Sequence, residues 1–316
     1  THLHGRELTV PFFGQRVPVL QDRAVDPTFG TGAVMICTFG DKQDVHWWKE
    51  YSLPLRKAID RAGRMTGIAG RYAGMRVGEA RKAIVADMAK AGSLQGERKI
   101  TQRVGTCWRC KTPIIFRATE QWFLKASGIR EAMLDECAAV TWYPSWAGSA
   151  RFYDWLKEAR DWCISRQRYW GIPIPIWECR SCGSSRVVET IAELEELSGS
   201  KVPDPHRPYV DSITLPCTCG GTMERVEDIF DVWFDSAVAS WATLGFPREK
   251  EAFERYWPAD FITEGQDQTR GWFYSQLGAS TIAFSRSPYR SVLMHGFALD
   301  AEGRKMSKSL GNVVAP

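Results

Sequence analysis

Six of the nine cysteines fall in close pairs: Cys107/Cys110, Cys179/Cys182 and Cys217/Cys219. Cys179-Arg180-Ser181-Cys182-Gly183 and Cys217-Thr218-Cys219-Gly220-Gly221 are short knuckles, each presenting two thiolates. The glycine after each second sulfur lets backbone N–H groups turn toward it. Together the knuckles supply four sulfurs, which suits tetrahedral zinc. Four thiolates leave no open position for a catalytic water, so such a metal is structural. A set of buried free cysteines is the plainer alternative. Cys107-Trp108-Arg109-Cys110 is only half a site: a bare turn, or a pair whose partners lie on chain outside this sequence. Cys37, Cys137 and Cys163 are isolated and read as core thiols.

A second reactive stretch is Gly303-Arg304-Lys305-Met306-Ser307-Lys308-Ser309-Leu310-Gly311. Lys305 and Lys308 bring two ammoniums, Ser307 and Ser309 two hydroxyls, and the flanking glycines let the loop move. Mobile ammoniums suit a polyphosphate whose leaving group gains negative charge. As pattern alone, a solvated basic loop explains the stretch equally well. Glu264 and Asp267 precede a helix, where acids complement the macrodipole without any ligand.

These residues need elements to hold them. Residues 1–76 read as β-rich, with Gly and Pro punctuating runs such as Val17-Pro18-Val19-Leu20 and Ala33-Val34-Met35-Ile36. Residues 77–91 form an amphipathic helix with Val77, Ile84, Val85 and Met88 on one face and Gly92 as its stop. Thr190 and Glu193 make a capping box for a short helix ended by Gly199. Asp260–Thr263 reads as a strand, 264–268 as a loop, 269–284 as a helix and Ser291–Leu299 as another strand. This alternation is α/β, with ligand groups in the loops that leave the strand ends.

Composition bounds the whole. The 316 residues are 44% hydrophobic, 25% charged and 12% aromatic, which excludes a disordered chain. No apolar run approaches the roughly 18 residues of a membrane helix. The start has neither Met nor a signal-like apolar stretch, and both ends read as those of a fragment. A net charge of +4 permits a nucleic-acid partner without demanding one.

Lys305-Met306-Ser307-Lys308-Ser309 after a strand is spelled like the second ATP-binding motif of class I aminoacyl-tRNA synthetases. Glu264-Gly265-Gln266-Asp267-Gln268-Thr269-Arg270-Gly271-Trp272-Phe273-Tyr274 resembles the segment that contacts the aminoacyl-adenylate in the isoleucyl type. Asp161–Pro173 (DWCISRQRYWGIP), Asp231–Ser236 (DVWFDS) and Leu293–Phe297 (LMHGF) resemble the same type, in its archaeal form. The resemblance covers essentially the whole chain.

It implies an α/β protein: the second half of a split Rossmann-type nucleotide-binding fold with a zinc-binding insertion, preceded by part of a β-rich editing domain. The implied divisions are 1–102 (editing), 103–178 (return segment), 179–227 (zinc insertion) and 228–316 (second catalytic half). Lys305 and Lys308 would be catalytic, within an ATP-binding loop that includes Met306, Ser307 and Ser309. Glu264, Gly265, Asp267, Gln268, Trp272 and His295 would hold the adenylate, though an aromatic such as Trp272 on a helix also reads as core. Cys179, Cys182, Cys217 and Cys219 match one zinc site, and Cys107 and Cys110 half of another. Gly30, Thr31, Gly32 and Asp44 match the editing site, within a glycine-rich core strand Phe29–Val34. An N-cap is the alternative role for Asp44.

The implied reaction uses ATP with Mg²⁺, isoleucine and tRNA, and edits away valine, in a monomeric cytoplasmic enzyme with no membrane partner. Two features depart from the isoleucyl pattern. Met35 stands where the bacterial form has His, and Val34–Asp41 is worded like archaeal valyl enzymes. The family's first ATP motif, His-x-Gly-His, is absent, so the 316 residues alone are expected to be inactive or nearly so in activation. A valyl enzyme is the alternative within the class. A non-catalytic zinc ribbon that binds nucleic acid is the alternative outside it.

Overall fold

The structure is a computed structural model. It describes residues 3–28, 30–37, 42–97, 101, 103–107, 110–308 and 310–314. The chain forms two compact units, Thr1–Glu120 and Gln121–Pro316. Residues 103–120, expected with the return segment, cluster with the first unit.

In the first unit, β1 (Glu7–Thr9) pairs antiparallel with β2 (Arg16–Pro18), Glu7 opposite Pro18. Helix α1 spans Lys42–Glu50 and α2 spans Val77–Lys90. The α2 boundaries match the periodicity to within one residue, and Gly92 takes the left-handed conformation, φ +65, just beyond the end. Ala80, Ala83 and Ile84 pack α2 against Met65, Ala69, Tyr72 and Met75.

The β-rich reading of residues 1–76 is corrected. Among the described residues, β1 and β2 are the only named strands there. Gly30 and Gly32 lie in turns at φ +61 and +70, and Ala33–Cys37 has no regular structure. An extended run needs a neighbour for its backbone N–H and C=O groups, and among the described residues no ladder includes this one. Val34, Met35 and Cys37 are accordingly exposed, so Cys37 is not a core thiol. Cys137 is buried and Cys163 half-buried.

The second unit runs β3 (Phe123–Leu124), α3 (Arg130–Ala139), β4 (Thr141–Tyr143), α4 (Tyr153–Lys157), β5 (Trp162–Cys163) and β6 (Ser165–Arg166). Next come β7 (Ile176–Cys179), β8 (Ser185–Val187), α5 (Ile191–Ser198), β9 (Leu215–Pro216) and β10 (Thr222–Arg225). It ends with β11 (Ile229–Phe230), α6 (Val232–Ala242), α7 (Lys250–Tyr256), β12 (Ile262–Gly265), α8 (Trp272–Phe284) and β13 (Ser291–His295).

Its centre is a parallel sheet in the order β12-β13-β4. Helix α8 connects β12 to β13, a βαβ unit, and α8 is buried from Phe273 to Thr281. A helix buried along its length is mostly apolar or small, as Phe273, Leu277, Gly278 and Ala279 are, with Gln276 a buried polar exception. Trp142 of β4 packs against Phe152, Phe273 and Tyr289 in the same core. A second aromatic cluster of Trp241, Phe246, Phe253, Trp257 and Phe284 seats α6 and α7 on the end of α8. Much of the tryptophan content is thus packing. A separate antiparallel sheet, β8-β7-β10-β9, has its own core around Trp177, Leu194, Leu215 and Met223.

Candidate functional site

Parallel pairing sets Gly265 beside His295 at the C-terminal ends of β12 and β13. The two loops leaving these strands therefore start from the same edge of the sheet. The first is a 3₁₀ turn, Gln266–Arg270, shorter in helix than expected because α8 begins only at Trp272. Gly265 is buried, and a Cβ there would come within 2.7 Å of Asp267 Oδ1 and 3.6 Å of His295 Cε1. Glycine thus lets the Asp267 carboxylate and the His295 ring converge. Gln268 Nε2 donates to Asp267 Oδ2 (3.2 Å), and Gln268 Oε1 accepts from the Trp272 N–H (3.0 Å). One amide thereby orients a carboxylate and satisfies the start of α8. Glu264 is exposed, its Oε2 accepting from the Gly265 N–H. His295 lies exposed, with Nδ1 2.8 Å from the Gly296 carbonyl.

Trp272 is half-buried, and its indole N–H donates to the Ser236 carbonyl (3.1 Å). Beside it stands Trp233 of α6, whose ring would meet a Cβ on Gly271 at 3.0 Å. The indole of Trp233 is partly exposed, an apolar surface next to the acidic turn. A cavity of about 850 Å³ is lined by Gln266, Asp267, Thr269, Arg270 and Phe297, together with residues of α4 and of the segments on either side of it.

The second loop is a hairpin rather than the tail of a long strand: β13 stops at His295, and Leu299 then bridges Lys305 antiparallel. Asp300 and Gly303 make the turn, with Gly303 at φ +74. Lys305 is exposed, its ammonium 3.5 Å above the centre of the Phe297 ring. Phe297 also lines the cavity beside Asp267, so the acidic turn and Lys305 share one neighbourhood. Met306 and Ser307 are half-buried and Lys308 is exposed; Ser309 lies outside the described residues.

Cys179, Cys182, Cys217 and Cys219 come together with all four Sγ atoms within 4.8 Å of one another. The Cys179–Cys219 and Cys182–Cys217 sulfurs are 3.6 and 3.7 Å apart. The edge of a tetrahedron of zinc–sulfur bonds is about 3.8 Å, so the donor set fits zinc in kind and spacing. A Cβ on Gly221 would lie 3.1 Å from Cys179 Sγ, so glycine makes room for the cluster. The Cys219 backbone N–H and the Ser184 hydroxyl pull the Cys217 thiol down to about 6. Ser184 likewise lowers Cys182. Cys107 and Cys110 sit on one tight turn closed by Lys111 N–H to Cys107 O, and Thr112 lowers Cys110 to about 7.

The family model for class I tRNA synthetases (I, L, M and V) matches residues 23–316. The chain belongs to that family. It is 66% identical over 277 residues to an isoleucine–tRNA ligase of Methanoregula boonei, covering 86% of this chain and 26% of that protein. An isoleucine–tRNA ligase of Methanosarcina barkeri is 59% identical over 287 residues, covering 90% and 27%. The chain thus spans about a quarter of the length of the curated relatives it matches. Among solved structures, Mycobacterium tuberculosis methionyl-tRNA synthetase bound by methionyl-adenylate superposes with a TM-score of 0.44 at 21% identity, over 70% of this chain and 34% of that one.

In this class I synthetase chain, Asp44 is buried within the first turn of α1, which starts at Lys42. Gly30, Thr31 and Gly32 form a tight turn, with Thr31 Oγ1 accepting from the Ala33 N–H (3.3 Å); Phe29 is outside the described residues. The glycine-rich strand expected there is therefore a turn.

Three features were missed by sequence reasoning: Trp233 beside Gly271, Phe297 under Lys305, and the Asp300–Asn312 pair beneath the hairpin. Trp233 lies in the Asp231–Ser236 motif and Phe297 in Leu293–Phe297, and the helix-capping Asp231 ahead of Trp233 is the signal the sequence offers. The zinc-ribbon alternative gains no support, because residues 179–227 carry eight acidic against five basic side chains.

Proposed function

We propose that this chain is the part of an isoleucine–tRNA ligase that forms isoleucyl-adenylate from isoleucine and ATP. The observation that carries the reading is the pairing of Gly265 with His295. It sends the acidic turn and the lysine hairpin off one sheet edge, with Phe297 common to both. The amino-acid ammonium would be met by the carboxylates of Glu264 and Asp267, the latter oriented by Gln268. The aliphatic side chain would lie against Trp272 and Trp233. An isoleucine carboxylate oxygen attacks the α-phosphorus in line, the bond to the β-phosphate bridging oxygen breaks, and pyrophosphate leaves. Lys305 and Lys308 face the charge that accumulates on the pyrophosphate, with the Ser307 and Ser309 hydroxyls and Met306 in the same loop. Mg²⁺ bound with ATP would neutralise part of its charge.

The adenylate is then the donor to tRNA. One methylene in an apolar pocket discriminates by only about 1–3 kcal/mol, so valine would need removal by editing. Asp44 and the Gly30–Gly32 turn are the residues of this chain proposed for that step. Cys179, Cys182, Cys217 and Cys219 would hold a structural zinc, and Cys107 with Cys110 half of a second site. In this reading 179–227 is an insertion into the second half of a split Rossmann-type domain and 1–102 part of an editing domain.

The test is ATP–pyrophosphate exchange by the full-length protein that carries this chain, with isoleucine or valine. Exchange is expected with isoleucine at a kcat/KM about 10-fold or more above valine. Exchange with neither, or a preference for valine, overturns the reading.

A further inference from the structure

Lys305 and Lys308 can act on a polyphosphate only if their loop has a defined shape, and two side chains outside the lysine motif give it one. Asp300 sits under the hairpin with only 6% of its side chain exposed. Its Oδ1 accepts from the backbone N–H groups of Glu302 (3.1 Å) and Arg304 (2.8 Å). Its Oδ2 accepts from Arg304 Nε (2.9 Å) and from Asn312 Nδ2 (2.8 Å). Asn312 closes the other side. Its Nδ2 also donates to the Lys305 carbonyl (3.2 Å), and its Oδ1 accepts from the Ser307 N–H (2.9 Å). One amide therefore grips the backbone on both sides of Met306 and ties it to a buried carboxylate seven residues before Ser307.

The consequence falls on Lys305. Backbone contacts at Leu299, Lys305 and Met306 fix the return arm of the hairpin against the outgoing one. With its Cα fixed there, the Lys305 ammonium reaches the Phe297 ring at 3.5 Å, a cation–π contact at the edge of the cavity that Phe297 shares with Asp267. An aromatic face holds an ammonium without neutralising it, and gives it up readily to a stronger anion. A carboxylate at the same place would compete with phosphate instead.

We propose that Asp300 and Asn312 are positioning residues for the lysine loop, and that Phe297 holds the Lys305 ammonium ready at the cavity edge for the ATP polyphosphate. The inference rests on the adenylate-forming reading above. It assigns the ATP half of that site three residues that do not themselves belong to the lysine motif.

Exchange kinetics of the full-length protein test it with Asp300→Asn, Asn312→Asp, the double swap D300N/N312D, Phe297→Leu and Phe297→Tyr. D300N and N312D are each expected to raise the KM for ATP about tenfold, the effect of losing one charge-assisted contact, and F297L, which loses an exposed cation–π contact, about threefold to fivefold; all three leave the KM for isoleucine within about twofold. The swap restores a carboxylate–amide pair and is expected to recover part of the loss, while F297Y, which keeps the ring, behaves like the parent protein. Thermal unfolding midpoints are read alongside. Unchanged ATP kinetics in all three single variants overturn the proposal. So does a joint rise of both KM values with a fall in melting temperature, or a swap no better than either single variant. A parent protein with no exchange overturns the underlying reading instead, which separates the two failures.

Discussion

At the scale of single residues, close approach decides more than charge. Gly265 admits Asp267 and His295, Gly221 admits a thiol, and Gly148 admits an indole. Gly148 is the most demanding of the three. A Cβ there would fall 2.1 Å from Trp142 Cδ1 and 2.3 Å from Cγ. Trp142 cannot easily give way, because Phe152, Phe273 and Tyr289 pack around it. It also sits on β4, the strand that flanks β13 and so backs the edge from which the hairpin leaves. Gly148→Ala is therefore expected to destabilise the protein by about 3 kcal/mol, at the upper end for overpacking. The check is the denaturant midpoint of the full chain at constant slope. A shift equivalent to less than about 0.5 kcal/mol, the size of an ordinary surface substitution, would mean that the ring does not occupy that space.

At the scale of elements, legibility tracked how local the determining physics is. Helix α2 could be read because its periodicity and Gly92 are local. Helix α5 could be read from its cap: Thr190 Oγ1 accepts from the Glu193 N–H at 3.1 Å, and Gly199 ends it at φ +67. Glu193 reaches the Glu189 N–H rather than that of Thr190, so the box is shifted by one residue. Strands were harder. Ala33–Ile36 has the composition of a strand but no partner in a ladder, and pairing is a long-range property that no window of sequence carries. The site divides in the same way. The cysteine knuckles and lysine loop are contiguous motifs, whereas Phe297 under Lys305 and Trp233 beside Gly271 depend on the fold.

The four-cysteine sheet is also where the metal prediction belongs. Its core of Trp177, Leu194, Leu215 and Met223 is small, and Cys179 and Cys217 lie in or against it. Removing zinc with a chelator is expected to expose Trp177, seen as a red shift of tryptophan emission, with loss of one zinc per four thiols released. Protein purified without added metal that contains no zinc would sink the assignment.

At the scale of the whole molecule, the two compact units divide at Glu120/Gln121, and within the second unit the cysteine-bearing sheet is tied to the chain that precedes it by a buried charge. Arg225 of β10 is 1% exposed in its side chain. Its guanidinium donates to Asp211 and to the carbonyls of Ile174 (3.1 Å) and Asp228 (3.1 Å). Arg207 pairs with the other oxygen of Asp211 (2.7 Å) and donates to the Arg168 carbonyl (3.2 Å). Asp211 thus bridges two cations that hold the sheet to residues 168–174. Burial by itself would raise its carboxyl, but Arg207 and Arg225 outweigh burial and hold it below the ordinary value of 3.8. A carboxyl depressed on folding stabilises fully above its unfolded value, and that contribution is lost as pH falls through the lower folded value. Near neutral pH, Asp211→Asn removes the charge and leaves the buried Arg225 without its hydrogen-bonded counter-ion, at a cost of about 3 kcal/mol. The parent protein, by contrast, should lose the same stabilisation in acid as Asp211 protonates. The gap in melting temperature between parent and D211N is therefore expected to be constant from pH 7 to about pH 5 and to narrow as pH falls below about 4. Other carboxylates lowered on folding, such as Glu195 and Asp300, titrate alike in both proteins and cancel in the difference. A gap that is undiminished at pH 3, or that widens as pH falls, would show that Asp211 is not the charge that joins the sheet to the chain before it.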